Sequence, residues 1–195
     1  MRMTKTTVPP QDIIDQFVGN AHGNFTVVKE LLEKYPALLN ANASWDEHAI
    51  EAAAQTGQVQ IVEFLLKKGA PLDICAAAML GRFEQVKSML QADPAFIQAR
   101  GAHGIPLLYF PVIRGNQAIA EFLLQQGAQV NASSPGGITP LHGAVMFDQV
   151  DMAAWLLDQG ADPDLRCDNK TPLEMAVEKK QQTMADLLRK RSEVG

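Results

Sequence analysis

Residues 136–164, GGITPLHGAVMFDQVDMAAWLLDQGADPD, decide how the chain folds. Thr139 offers a hydroxyl that accepts a first-turn N–H, and Pro140 is preset for a helical φ, so a helix begins here. The helix runs through Leu141, Ala144 and Val145 and turns polar at Asp148, a residue type that tolerates the left-handed conformation of a helix end. A second helix follows, with Met152, Leu156 and Leu157 at helical spacing, and it stops at Gly160. Two short helices joined by a tight turn cannot bury their apolar faces alone, so neighbours of the same kind are required.

The neighbours are present. Leucine pairs or near equivalents recur at Leu31-Leu32, Leu65-Leu66, Met89-Leu90, Leu123-Leu124 and Leu156-Leu157, with Leu188-Arg189 last. Eight residues before each stands Gly23, Gly57, Gly81, Gly115, Asp148 or Lys180, and the steps between these markers are 34, 24, 34, 33 and 32 residues. Six units share one ruler. Second helices stop at Gly69, Gly127 or Gly160, or at Tyr35-Pro36 and Asp93-Pro94, where proline cannot continue a helix.

The stretches 136–164, IVEFLLKKGAPLD (61–73), IAEFLLQQGAQVNA (119–132) and NKTPLEMAV (169–177) resemble the ankyrin repeat family. The resemblance covers residues 11 to 192. It implies a mainly α solenoid of antiparallel helix pairs, with short β-hairpin fingers between repeats. Residues 1–10 are then expected as a flexible N-terminus, and 11–192 as one domain with repeats at about 11–43, 44–71, 72–99, 100–132, 133–165 and 166–192. The first repeat opens on DIIDQFVGNAHG rather than Thr-Pro-Leu-His, and the sixth ends in Leu188-Arg189-Lys190-Arg191; both suit end caps with one polar side. The 24-residue step leaves only APLD between Gly69 and the next inner helix. About ten residues are missing against the 33-residue period, so one finger is expected to be absent near 70–74, leaving a notch that opens the groove beside Met79 and Leu80.

Composition narrows the function classes. A net charge of −5 argues against a general nucleic-acid footprint, which needs a basic face. No apolar run reaches the 18 residues of a spanning helix, and MRMTKTTVPPQ carries no apolar stretch after its basic residues, so neither a membrane segment nor a secretory signal is expected. Two distant cysteines, Cys75 and Cys167, fit free thiols in a reducing cytoplasm, Cys75 buried and Cys167 exposed at a finger tip. The glycosylation-type triplets at Asn24, Asn42 and Asn131 read as chance in a chain without a secretory route.

No catalytic set converges. His22, His48, His103 and His142 form no zinc spacing, HExxH pair or nucleophile elbow, and SPGG at 134–137 is a turn rather than a phosphate cradle. Asp46–His48 reads as a solvated polar turn. His142 and Tyr109 occupy the slot to which the resemblance assigns a structural role, hydrogen bonding between repeats for the histidine. No enzyme activity, cofactor or metal is expected. The resemblance implies instead that another protein binds the concave side, as an adaptor, inhibitor or stabiliser would.

The two residues before each marker sit at the groove end of the inner helix. They read Ala21-His22, Gln55-Thr56, Met79-Leu80, Ile113-Arg114, Met146-Phe147 and Glu178-Lys179. The middle three pairs are mostly large and apolar, and stacking sets them side by side around Arg114. Two readings stay open: an exposed patch for a partner, or packing between repeats. Trp45 and His103 on fingers, and Phe110 on the fourth inner helix, join the candidate contacts. Pro111 is expected to kink that helix. Residues 101–165 hold Arg114 as their one Lys or Arg against six acids, which favours a basic or apolar partner over an anionic one. A monomer is expected, with a homodimer through the same patch as the second reading.

Overall fold

The computed structural model describes residues 8–192, so residues 1–7 of the expected flexible N-terminus lie outside them. Among the described residues, twelve α-helices alternate as inner and outer members of six pairs. The inner helices are α1 (Gln11–Asn20), α3 (Ala49–Gln55), α5 (Ile74–Met79), α7 (Tyr109–Val112), α9 (Pro140–Met146) and α11 (Pro172–Glu178). The outer ones are α2 (Phe25–Lys34), α4 (Val59–Lys68), α6 (Phe83–Ala92), α8 (Gln117–Gln125), α10 (Val150–Asp158) and α12 (Gln182–Ser192). Each inner helix packs on its own outer helix and on the next inner helix, which is the architecture of a helical solenoid.

Local chemistry sets the ends of these helices. Thr139 Oγ1 accepts from the His142 N–H at 3.3 Å, and the Thr139 N–H donates to His142 Nδ1 at 3.3 Å. Thr171 and Glu174 repeat this reciprocal cap on α11. Five of the six markers adopt positive φ: Gly57, Gly81, Gly115, Asp148 (53°) and Lys180 (59°). That left-handed turn reverses the chain into the outer helix. At their far ends the outer helices α2 and α6 run into 3₁₀ turns at Pro36–Asn40 and Pro94–Gln98.

Isolated antiparallel bridges pin three fingers, at Asn42–His48, Arg100–Pro106 and Cys167–Lys170, and a fourth is closed by the Ser134 N–H donating to Ile138 O at 3.0 Å. Between Gly69 and Asp73 no finger forms, and Asp73 directly caps α5 by accepting from the Ala76 N–H at 2.7 Å. Pro111 interrupts the helical hydrogen-bond ladder: α7 has four residues, and the Phe110 N–H takes the Leu107 carbonyl that residue 111 cannot reach. The Cys167 thiol is not exposed at its finger tip; the residue is 2% exposed because its finger folds under the preceding one, with Gly137 against Arg166.

Candidate partner-binding surface

The third repeat shapes this surface. Its inner helix α5 is six residues long and carries Ala76, Ala77 and Ala78, all fully buried. Side chains this small let α3 and α7, packed on either side of it, reach each other past its end. The Tyr109 hydroxyl donates to Gln55 O at 3.1 Å, so repeat four bonds repeat two directly. A methyl added to Gly57 would lie 3.3 Å from Phe147 Cε1 and 3.7 Å from Arg114 Cδ and from Ile113 Cδ1. The ends of α3, α7 and α9 therefore converge on one point.

That convergence sorts the candidate row. Met79, Phe110 and Ile113 are each 1% exposed, which places them in the packing between repeats and removes them as surface contacts. Phe110 stacks edge-on against Tyr109 at 5.6 Å and abuts Gly101. Leu80, Met146 and Phe147 are half-buried at the margin of this core, and Arg114 is exposed. The absent finger does not open the groove beside Met79, because the inner helices close over that side chain.

The finger tips supply the rest. Trp45 is 42% exposed, and His103, at φ 56° in the turn Ala102–Gly104, is exposed as well. Between them lies Glu47, wholly buried. Trp45 Nε1 donates to Glu47 Oε2 at 2.6 Å and Gln55 Nε2 donates to Glu47 Oε1 at 2.7 Å. His22 Nε2 stands 3.5 Å and His103 Nε2 3.7 Å from the same Oε1. Burial pushes this carboxyl up, but the hydrogen bonds of His22 and Trp45 and the charges of both histidines outweigh it, holding Glu47 below its ordinary value. The hydrogen bond to Glu47 raises His22 in turn, against the effect of burial. The Glu47 carboxylate thus ties the fingers of repeats two and four to the turn that follows α1.

Glu47 corrects the reading of Asp46–His48 as a solvated turn: Asp46 is exposed at φ 62°, while the next side chain points inward. Nothing local announces this, since its partners come from other repeats. His142 is fully buried, bonded to its own cap and 3.4 Å from Lys170 O on the following finger, and burial lowers its pKa. Among the described residues no cluster of His, Cys, Asp and Glu has the arrangement of a metal site. No described helix is long and apolar enough to cross a membrane.

Comparison with known proteins agrees with this geometry. A family model for ankyrin repeats (3 copies) matches residues 74–167 and 108–195, and one for the ankyrin repeat matches residues 46–77. The chain is 38% identical to human BCL-6 corepressor-like protein 1 over 46% of this chain, but over 5% of that protein. It is 30% identical to human cyclin-dependent kinase 4 inhibitor B over 62% of this chain and 88% of that protein. It is 29% identical to the chicken nuclear factor NF-kappa-B p105 subunit over 80% of this chain and 18% of that protein. Several of these relatives, human Rabankyrin-5 among them at 5%, are thus far longer than the part that the chain matches.

Proposed function

The chain belongs to the ankyrin repeat family, and from that premise we propose that it is a non-catalytic module binding another protein through its concave side. The observation that carries the reading is the surface around Gly57. There exposed Arg114 and half-buried Phe147 both come against Gly57. Leu80 and Met146 are half-buried on the same row of inner-helix ends, and Trp45 and His103 stand exposed on the fingers of repeats two and four. Aromatic, Met and Arg side chains at the rim of a packed core are the composition of interaction hot spots. The name of the relative cyclin-dependent kinase 4 inhibitor B describes action on another protein, which favours an inhibitor over a scaffold. The module acts as a monomer in the cytoplasm, needs no cofactor, and binds neither nucleic acid nor membrane.

Affinity capture from the source cells tests this, comparing the natural chain with an Arg114→Ala, Phe147→Ser variant. The variant is expected to keep its far-ultraviolet circular dichroism and lose the captured partner. Retention of the same partner by the folded variant places binding elsewhere. A mass that rises with concentration in light scattering assigns the patch to a homodimer instead.

A further inference from the structure

The absent finger leaves more than a shorter connection. The backbone of Pro71 and Leu72 makes no hydrogen bond to any described residue, whereas every finger elsewhere pairs with itself. Beside this segment lies an open cavity of about 320 Å³, with apolar walls from Leu72, Ile74, Met89 and Phe96, and lined on another side by Arg100 of the next finger. A second hollow of about 250 Å³ adjoins it, walled by Leu39, Ile50 and Pro71. Glu51 and Asp73 line both and so form the partition between them. His103 reaches across to Glu47 at 3.7 Å on the finger tips, while beside the absent finger the hollow stays open next to Phe96, a large apolar side chain that is 41% exposed.

Charge says what would fill it. Glu51 accepts from the His48 N–H and pairs with the His48 ring at 3.0 Å, and Asp73 accepts from the Ala76 N–H as the α5 cap; among the described residues no Lys or Arg pairs with either carboxylate. Arg100 lines the cavity, but its Nη1 is turned to the carbonyls of Gly104 and Ser133 at 2.7 and 2.8 Å. Burial raises Asp73, and the neighbouring Glu51 charge adds to it, which marks a place where a cation relieves repulsion.

We propose that this gap is a second docking site, distinct from the concave surface. Its occupant is an extended segment of a partner protein that pairs an apolar side chain with an adjacent lysine or arginine. The apolar side chain enters the cavity against Leu72, Met89 and Phe96, the cation sits between Glu51 and Asp73, and the segment's backbone reaches the free groups of residues 71–72. A strand added at an unpaired backbone edge is a recurrent mode of peptide recognition. The site rests on the reading of the chain as a protein-binding module, and it stands or falls separately from the surface around Arg114.

The test uses the full chain and three synthetic hexapeptides: one with a Lys-Leu-Arg-Phe centre, one with Glu-Leu-Glu-Phe and one with Lys-Ser-Arg-Ser. Binding is read by calorimetry and by amide chemical shifts. The first peptide is expected to bind at least tenfold more tightly than the other two and to shift Leu72, Asp73 and Phe96. Phe96→Ser, a change at an exposed side chain that leaves the caps intact, is expected to weaken it at least tenfold. Inserting the seven residues 42–48 between Ala70 and Pro71 supplies a finger and is expected to abolish binding in a chain of unchanged helicity. Equal binding of the acidic peptide, no binding of the first, or shifts confined to Arg114 and Phe147 overturns the proposal. Self-association that Phe96→Ser abolishes gives the gap to a second copy and also overturns it. If the captured partner needs Arg114 and Phe147 but ignores Phe96→Ser and the insertion, the second site falls while the module reading survives.

Discussion

Gly143 lies in the middle of α9, where alanine would ordinarily stabilise a helix by about 0.5–1 kcal/mol. A Cβ there would meet the Tyr109 ring at 2.6 and 2.7 Å and Ile113 Cγ2 at 3.1 Å. Tyr109 cannot swing away, because it is buried and its hydroxyl holds Gln55 O. Overpacking of this kind costs about 1–3 kcal/mol, so Gly143→Ala is expected to lower the melting temperature, as calorimetry would show. The histidines give a second residue-level prediction, with opposite signs. His22 is raised in the fold, so its contribution is full below its ordinary value of 6.5 and fades as pH climbs past the folded value. His142 is lowered by burial, so its contribution is full above 6.5 and is lost as pH falls through the folded value. In urea titrations the deficit of His22→Gln is expected to be larger at pH 6 than at pH 8, and that of His142→Gln the reverse. A pH-independent deficit in either variant would remove the proton linkage.

At the scale of the element, the caps were legible and their weights were not. Thr139-Pro140 and Thr171-Pro172 announce two helix starts in the sequence, and both form reciprocal caps. Thr139 is 1% exposed with its hydroxyl 2.8 Å from His142 Nδ1, whereas Thr171 is half-buried. Loss of a cap costs about 0.5–2 kcal/mol. Thr139→Ala is expected near the upper end, since it leaves a buried donor unpaired, and Thr171→Ala near the lower end; denaturant midpoints measure both. The missing finger was equally visible as a 24-residue step. Its effect on the groove was not, because helix spacing depends on the small volumes of Ala76, Ala77 and Ala78, which a repeat ruler does not weigh. Glu47 escaped for the same reason: burial of a finger carboxylate is decided by His22 and His103, which only the stacked structure brings near.

Across the whole molecule, the apolar row divides into packing and surface. Met79→Ala and Ile113→Ala, at positions 1% exposed, are each expected to cost about 2–5 kcal/mol, a large share of a domain's usual margin of about 5–15 kcal/mol. Arg114→Ala, at an exposed position, is expected to stay within about 0.5 kcal/mol. Equilibrium denaturation of the three variants decides whether the division is right. The sequence pattern of large pairs before the markers located this region but could not split it, since Met and Ile serve cores and interfaces alike.

The bond from Tyr109 to Gln55 and the tie from His103 to Glu47 both skip a repeat. A solenoid whose units touch only their neighbours melts by fraying, one unit at a time from either end. Here repeats two and four hold each other past repeat three, so the centre is expected to open as one cooperative unit. Slow, uniform amide exchange is expected across α3, α5 and α7, with faster exchange toward α12. The shortest repeat, which looks like a weak link in the row, is thereby the one least free to unfold alone.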